Sequence, residues 1–393
     1  MKLIADLERD LADREAAGLL RQRRVVESPP GARVTVDGEV RINFASNDYL
    51  GLAHHPDVTA AAAAGAAAWG AGSSASHLIS GHYAEHAALE SELAAWVAPC
   101  AGAEALTFSS GYLANLAILS TLAGRGDAIF ADRLNHACLN DGALLSRATF
   151  VRYRHGDVAQ LAEQLARTPA NIRVIATDAV FSMDGDIAPL RELLALADEY
   201  DAWLVVDDAH GFGVLGGDNG AGRGSLAHCG IASPRIVYMG TLGKAAGVAG
   251  AFVAAHPAVI ATLVQRARSY VFTTAAPPLL ATALRASLAL IRTDRARHDH
   301  LAALIAHFCE RAQKLPWQRL PSTTAIQPVI VGGNAATLAL SAALWQRGLW
   351  VPAIRPPTVP QGTARLRITL SAAHTREDVD ILIDALADLA GQR

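Results

Sequence analysis

Short apolar runs rich in β-branched residues alternate with helix-patterned segments through the middle of this chain, and that alternation restricts its fold more than any other feature. ALTF (105–108), AIFA (128–131), RVIATD (173–178), AWLVVDD (202–208), RIVYMG (235–240) and AGAFVAA (249–255) read as strands. Helix-patterned stretches begin at Tyr112, near residue 139 and at PLRELLALADEY. Strands separated by helices need crossover connections, which predicts a mostly parallel sheet buried on both faces.

The flanks read differently. Residues 1 to about 45 suggest a helical arm followed by RVTVDGEVRINF, with a turn at Asp37-Gly38. DVTAAAAAGAAAW (57–69) is expected to be helical, because Ala costs least in a helix. After Pro277-Pro278 come a long helical stretch (279–313), AIQPVIVGG, a helix near 335–347, ARLRITLS and a closing amphipathic helix. The expected organisation is an N-terminal arm (1–48), a large α/β domain (49–280) and a small C-terminal α+β domain (281–393). With 51% hydrophobic and 18% charged residues, the chain has the apolar content of a large core and not of a disordered segment.

Charge excludes several function classes. A formal net charge of −3 carries no footprint for nucleic acid and no pull towards an anionic membrane. Cys100, Cys138, Cys229 and Cys309 are scattered without a CxxC pair, which speaks against a disulfide framework or a zinc site and suits a reducing cytoplasm. The first 24 residues carry five acids and lack the apolar run of a signal peptide. The apolar stretch from Gly247 is interrupted at His256-Pro257, too early for a membrane span.

In open α/β sheets, ligands bind beyond the carboxyl ends of the strands. Asp207 ends a very apolar strand, where it is either a turn-forming cap or a buried anion awaiting a cation such as a protonated pyridine nitrogen. His210 follows three residues later. Lys244 stands in a Gly-rich loop after another strand and is one of three lysines among 34 basic residues. A chain so biased towards Arg retains Lys by chance or where chemistry needs an amine that can lose its proton. At Ser109-Ser110-Gly111-Tyr112 a strand meets a helix whose N-terminus suits a phosphate, although ordinary N-capping accounts for the serines equally well. GFGVLG (211–216) matches a dinucleotide fingerprint but is followed by GDNGAGRG, which opens no helix, and no acid occurs from Asn219 to Thr293. His82 and His86 have i, i+4 spacing without the adjacent Glu of a metalloprotease, and no metal is expected.

The ordered set SNDYLG (46–51), SGY (110–112), NHA (135–137), FSMDGD (181–186), DDAHG (207–211) and GTLGK (240–244) resembles the α-oxoamine synthase family. That family has the aspartate-aminotransferase-like fold (fold type I) of pyridoxal-phosphate-dependent transferases, and the likeness covers nearly the whole chain. AIRPPTVPQGTARLRITLSAAHT (353–375) resembles the branch that condenses L-alanine with a pimeloyl thioester on the way to biotin. Two departures, Ala246 and His82, fall where bulkier or hydroxylated residues are common in the family.

The resemblance implies roles. Lys244 holds pyridoxal 5'-phosphate as a Schiff base and later moves a proton, Asp207 keeps the pyridine nitrogen charged, and His210 and Ser182 bond the phenolic oxygen. His136 stacks on the ring, Gly111, Tyr112 and Thr241 hold the phosphate region, and Thr274 reaches it from a second subunit. Arg355 clamps the amino-acid carboxylate, while Arg21, Asn47 and Thr358 match acyl-substrate or active-site positions. A homodimer with shared sites is implied, with coenzyme A or acyl carrier protein as acyl carrier. The rival readings are a sibling synthase using glycine, an aminotransferase on the same fold, and a non-catalytic partner subunit, the last requiring loss of Lys244 or its companions.

Overall fold

A computed structural model describes residues 2–217 and 221–391. The chain divides into two compact units. One comprises Asp48–Ser182 and Asp186–His300; the other comprises the residues up to Asn47, Met183–Gly185 and the chain from Leu301.

The larger unit is built on a seven-stranded sheet. In spatial order its strands are Glu104–Phe108, Ala251–Ala255, Ile236–Thr241, Ala202–Asp207, Arg173–Asp178, Ala128–Asp132 and Thr149–Tyr153. Every pairing is parallel except the two made by Ala251–Ala255, which runs against both neighbours. The expected mostly parallel α/β sheet is therefore present. Thr149–Tyr153 was not among the sequence-predicted strands: it is an edge strand with only Tyr153 buried, so TFVRY lacks the continuous apolar signature of the central strands. The core between sheet and helices joins Ile118 and Leu119 to Val174, Val205, Val237 and Val253.

Helix Pro56–Trp69 packs against helix Pro278–Thr293. Gly65 sets their closeness, since a Cβ there would lie 2.9 Å from Thr282 Oγ1 and 3.0 Å from the Leu279 Cα. The helical stretch expected over 279–313 is two helices, Pro278–Thr293 and Arg295–Arg311, separated at Asp294. The Asp294 side chain accepts from the Arg297 backbone N–H at 3.1 Å, capping the second helix.

The smaller unit holds the hairpin Arg33–Val36 and Glu39–Asn43, turned at Asp37 and Gly38, both with positive φ. It also holds a four-stranded sheet in which Ile326–Gly332 and Ala364–Thr369 are central. Buried Arg365 donates to Asp184 Oδ1 at 2.7 Å, and Ser322 and Thr324 donate to the Gly185 carbonyl, which ties Met183–Gly185 into this unit. Asp218, Asn219 and Gly220, in the segment after GFGVLG, lie outside the described residues; GFGVLG itself forms turns and no helix start. Among the described residues no helix is long and apolar enough to cross a membrane.

Candidate active site

Parallel strands of unequal neighbours leave their carboxyl ends facing one crevice, and there the larger unit has a cavity of about 200 Å³. Gly111, Tyr112, His136, Ser182, Asp207, His210, Thr241 and Lys244 all line it, together with Cys138 and Asp178. Eight residues named from separate segments of the sequence thus meet at one place.

Asp207 ends strand Ala202–Asp207 and is 4% exposed. Its oxygens accept from Asn115 Nδ2 at 2.6 Å and the Ala209 N–H at 3.0 Å. Both donors are neutral, no ion pair within 4.0 Å forms on Asp207 among the described residues, and Lys244 lines the same cavity. Asp178 ends the next strand in register with it. Burial and the Asp207 charge push the Asp178 carboxyl well above the usual carboxylate range. Asp178 Oδ2 also accepts the His136 backbone N–H at 2.7 Å.

The half-buried Lys244 follows strand Ile236–Thr241 in a loop whose neighbours Ala245 and Ala246 are buried. The loop closes through the Gly247 N–H, which donates to the Lys244 carbonyl at 2.8 Å. Gly247 has φ +68, and a Cβ there would stand 2.5 Å from the Ala53 nitrogen, so glycine is required for both reasons. Lys244 Nζ lies 2.9 Å from His210 Nε2, and His210 Nδ1 lies 2.5 Å from the Tyr49 hydroxyl. Asp208, beside Asp207, points the other way: it accepts from Ser225 and Tyr238, and burial pushes its carboxyl up to about 7.

His136 caps helix Ala137–Ser146, its Nδ1 lying 3.3 Å from the Cys138 N–H and 2.8 Å from Cys138 Sγ. Burial, with the Asp207 charge, pushes the Cys138 thiol up to about 12, keeping it protonated. Ser110 caps helix Gly111–Leu122 through its side chain, so the capping explanation of that serine holds, and the Tyr112 hydroxyl bonds Asp141. Thr241 Oγ1 donates to the Gly250 carbonyl at 3.2 Å.

Five named residues lie elsewhere. Thr274 is exposed, forms an isolated bridge with Ser76 and lines a second cavity of about 280 Å³ with Ser109 and Leu242. Arg21, Asn47, Arg355 and Thr358 belong to the smaller unit. There Arg355 donates to the Gly18 carbonyl and lines a cavity of about 520 Å³ with Gln22 and Arg24, while Asn47 Oδ1 accepts from Arg367 at 3.2 Å. Arg21 and Thr358 are exposed.

The family model for aminotransferase class I and II matches residues 39–386. The 8-amino-7-oxononanoate synthase of Polaromonas naphthalenivorans (strain CJ2) is 59% identical over 408 residues, covering 99% of both chains. The chain belongs to the 8-amino-7-oxononanoate synthase family. Its fold is the fold type I of pyridoxal-phosphate enzymes, as solved structures show. The serine palmitoyltransferase of Sphingomonas wittichii superposes with a TM-score of 0.92 at 31% identity, covering 99% of this chain and 98% of that one. A structure described as SPT with its PLP internal aldimine gives 0.91 at 28% identity, covering 98% and 97%.

Within this family setting, four residues of the site escaped sequence reasoning. Asn115, fully buried in a mostly apolar helix, was legible as a polar residue in need of a partner. Tyr49 sits inside SNDYLG, but nothing local points it at His210. Asp178 and Cys138 reach the cavity only through strand order and the His136 cap. The His82/His86 pair gains His77, the three offering ring nitrogens within 4.8 Å of one another. His86 already uses both nitrogens, on the Tyr83 N–H and the Ala276 carbonyl.

Proposed function

We propose that this protein uses pyridoxal 5'-phosphate to condense L-alanine with a pimeloyl thioester, giving 8-amino-7-oxononanoate, carbon dioxide and free thiol for biotin synthesis. One observation carries the reading: Lys244 and the buried Asp207 carboxylate line the same cavity, in a chain with full-length relatives of that name. A buried carboxyl group held by two neutral hydrogen-bond donors at a cavity wall suits a protonated pyridine nitrogen, so the residues present fit the cofactor.

When bound, pyridoxal phosphate supplies an electron sink for charge developing at the amino acid's Cα. Lys244 would hold the cofactor covalently through Nζ, and the same amine is placed to move a proton at the substrate Cα. Asp207 keeps the proton on the ring nitrogen, with Asn115 Nδ2 holding the carboxylate in place. His210 and Ser182 bond the phenolic oxygen, and His136 stacks on the ring, oriented by its helix-capping bond. Gly111, Tyr112 and Thr241 bind the phosphate region. Arg355 clamps the substrate carboxylate with its planar guanidinium, and Arg21, Asn47 and Thr358 serve the acyl substrate.

The reading includes a cytoplasmic homodimer with shared sites. Exposed Thr274 lines a different cavity from Lys244, which supports its contribution to the site of a second copy. The acyl group arrives on coenzyme A or acyl carrier protein.

The close superposition on serine palmitoyltransferase favours one alternative, a sibling acyltransferase with another amino acid and chain. Identity of 59% against 31% supports the first reading. Thiol release with alanine, glycine and serine, each against pimeloyl, acetyl and palmitoyl thioesters, separates them. Alanine with pimeloyl is expected to dominate; preference for glycine or serine removes the biotin assignment.

A further inference from the structure

Tyr49 is buried to 1% exposure, yet its hydroxyl reaches 2.5 Å from His210 Nδ1. Across the same imidazole, Nε2 stands 2.9 Å from Lys244 Nζ. Phenol, imidazole and amine form a chain. We propose that Tyr49 is a positioning residue for proton release from Lys244: its oxygen accepts Nδ1–H of His210, so that Nε2 is bare and takes the lysine's proton. The inference deepens the cofactor chemistry proposed above and rests on it.

The physical argument begins with the amine. An ordinary lysine titrates near ~10.4 and is almost wholly protonated at neutral pH, whereas imine formation needs its lone pair. The ring nitrogen beside it is a lone pair only in the tautomer that carries hydrogen on Nδ1. In that tautomer the hydrogen would face the Tyr49 oxygen, which lies 2.5 Å from Nδ1. In the transfer one N–H bond breaks at Nζ and one forms at Nε2; positive charge passes from ammonium to imidazolium, and nothing else moves. The imidazolium Nδ1–H then makes a charge-assisted bond to the phenol, which stabilises the product side.

Other titratable groups surround this chain of three. Asp178 and Asp207 line the cavity with Lys244 and His210, as do His136, Cys138 and Tyr112. Asp48, next to Tyr49, is engaged by the Leu52 and Ala53 N–H groups at 2.8 and 3.1 Å. Asp208 is engaged by Ser225 and Tyr238. The phenol oxygen lies at Nδ1 and the amine at Nε2, so the two ring nitrogens face different groups.

Tyr49→Phe removes only that oxygen. The test adds pyridoxal phosphate to the full-length wild type and variant across a pH series, reduces with borohydride, and quantifies the Lys244 adduct by peptide mass. The midpoint for adduct formation is expected to rise on the order of one pH unit in the variant. An unchanged midpoint, with the adduct still on Lys244, overturns the role of Tyr49 and leaves the cofactor assignment standing; no wild-type adduct on Lys244 overturns the cofactor assignment itself. Should Tyr49→Phe fold poorly, histidine-ring 15N spectra of the wild type decide, with His210 identified by the signal lost in His210→Gln. Hydrogen on Nδ1 is expected, and a bare Nδ1 overturns the proposal.

Discussion

Asp178 and Asp207 end adjacent parallel strands in register, and both are buried. Two carboxylates so placed resist ionising together. Asp178 is the one pushed up, by burial first and then by Asp207, while Lys244 pulls it back down. Asp178 is also the carboxyl that accepts the His136 backbone N–H.

The pair therefore divides under mutation. Asp207→Asn is expected to retain cofactor but lower thiol release on the order of a hundredfold or more, because a neutral amide does not keep a ring nitrogen protonated. Asp178→Asn keeps an acceptor for the His136 N–H and is expected to cost less than about tenfold. Steady-state assays of both, side by side, check this; equal losses mean that the pyridinium partner is misassigned.

Lys244→Ala is expected to give a folded, colourless protein with no borohydride-reducible adduct, since Lys2 and Lys314, the other lysines, do not line the cavity. Absorbance and peptide mass are the measurements. A retained adduct transfers the role to another amine.

His155 bridges two carboxylates, with Nδ1 3.2 Å from both Asp132 oxygens and Nε2 2.9 Å from Asp186 Oδ2. Hydrogen bonds to Asp132 and then Asp186 raise its imidazole to about 10. A histidine in the unfolded chain titrates near ~6.5, so the folded state binds the extra proton between these values. The stabilisation is complete below about pH 6.5, declines as pH rises, and is lost through about 10. His155→Ala is expected to cost about 1–2 kcal/mol at neutral pH, and urea titrations of the two proteins should converge as pH approaches that upper value.

Gly65→Val forces a side chain against the Leu279 backbone and Thr282. Helix Pro56–Trp69 must then move off helix Pro278–Thr293, at about 1–3 kcal/mol. A urea midpoint lowered accordingly checks it; an unchanged midpoint shows that the helices separate freely.

Much of this architecture was written in local pattern. The runs at 173–178 and 202–208 fall on strands Arg173–Asp178 and Ala202–Asp207, because a strand buried on both faces is apolar along its whole length. Thr149–Tyr153 escaped because an edge strand is not. The break at Asp294 escaped because both flanking segments are helical and one capping residue divides them. Lys244 and Asp207 stood out by chemistry that their surroundings make costly, an amine in an Arg-rich chain and a carboxylate at the end of an apolar strand, whereas the roles of His210 and His136 came from the resemblance of DDAHG and NHA.

By itself, then, the sequence determined the α/β sheet, the family and the residues most in need of explanation, since hydrophobic periodicity and motif order are read along the chain. Tertiary structure alone decided which of them touch. Tyr49 meets His210 across 161 positions, Asn115 meets Asp207 across 92, and Asp178 stands beside Asp207 only because their strands are neighbours. Periodicity says which face of a strand is buried; it does not say which strand lies next to it, and hydrogen bonds and charge repulsion act over ångströms of space rather than positions in sequence.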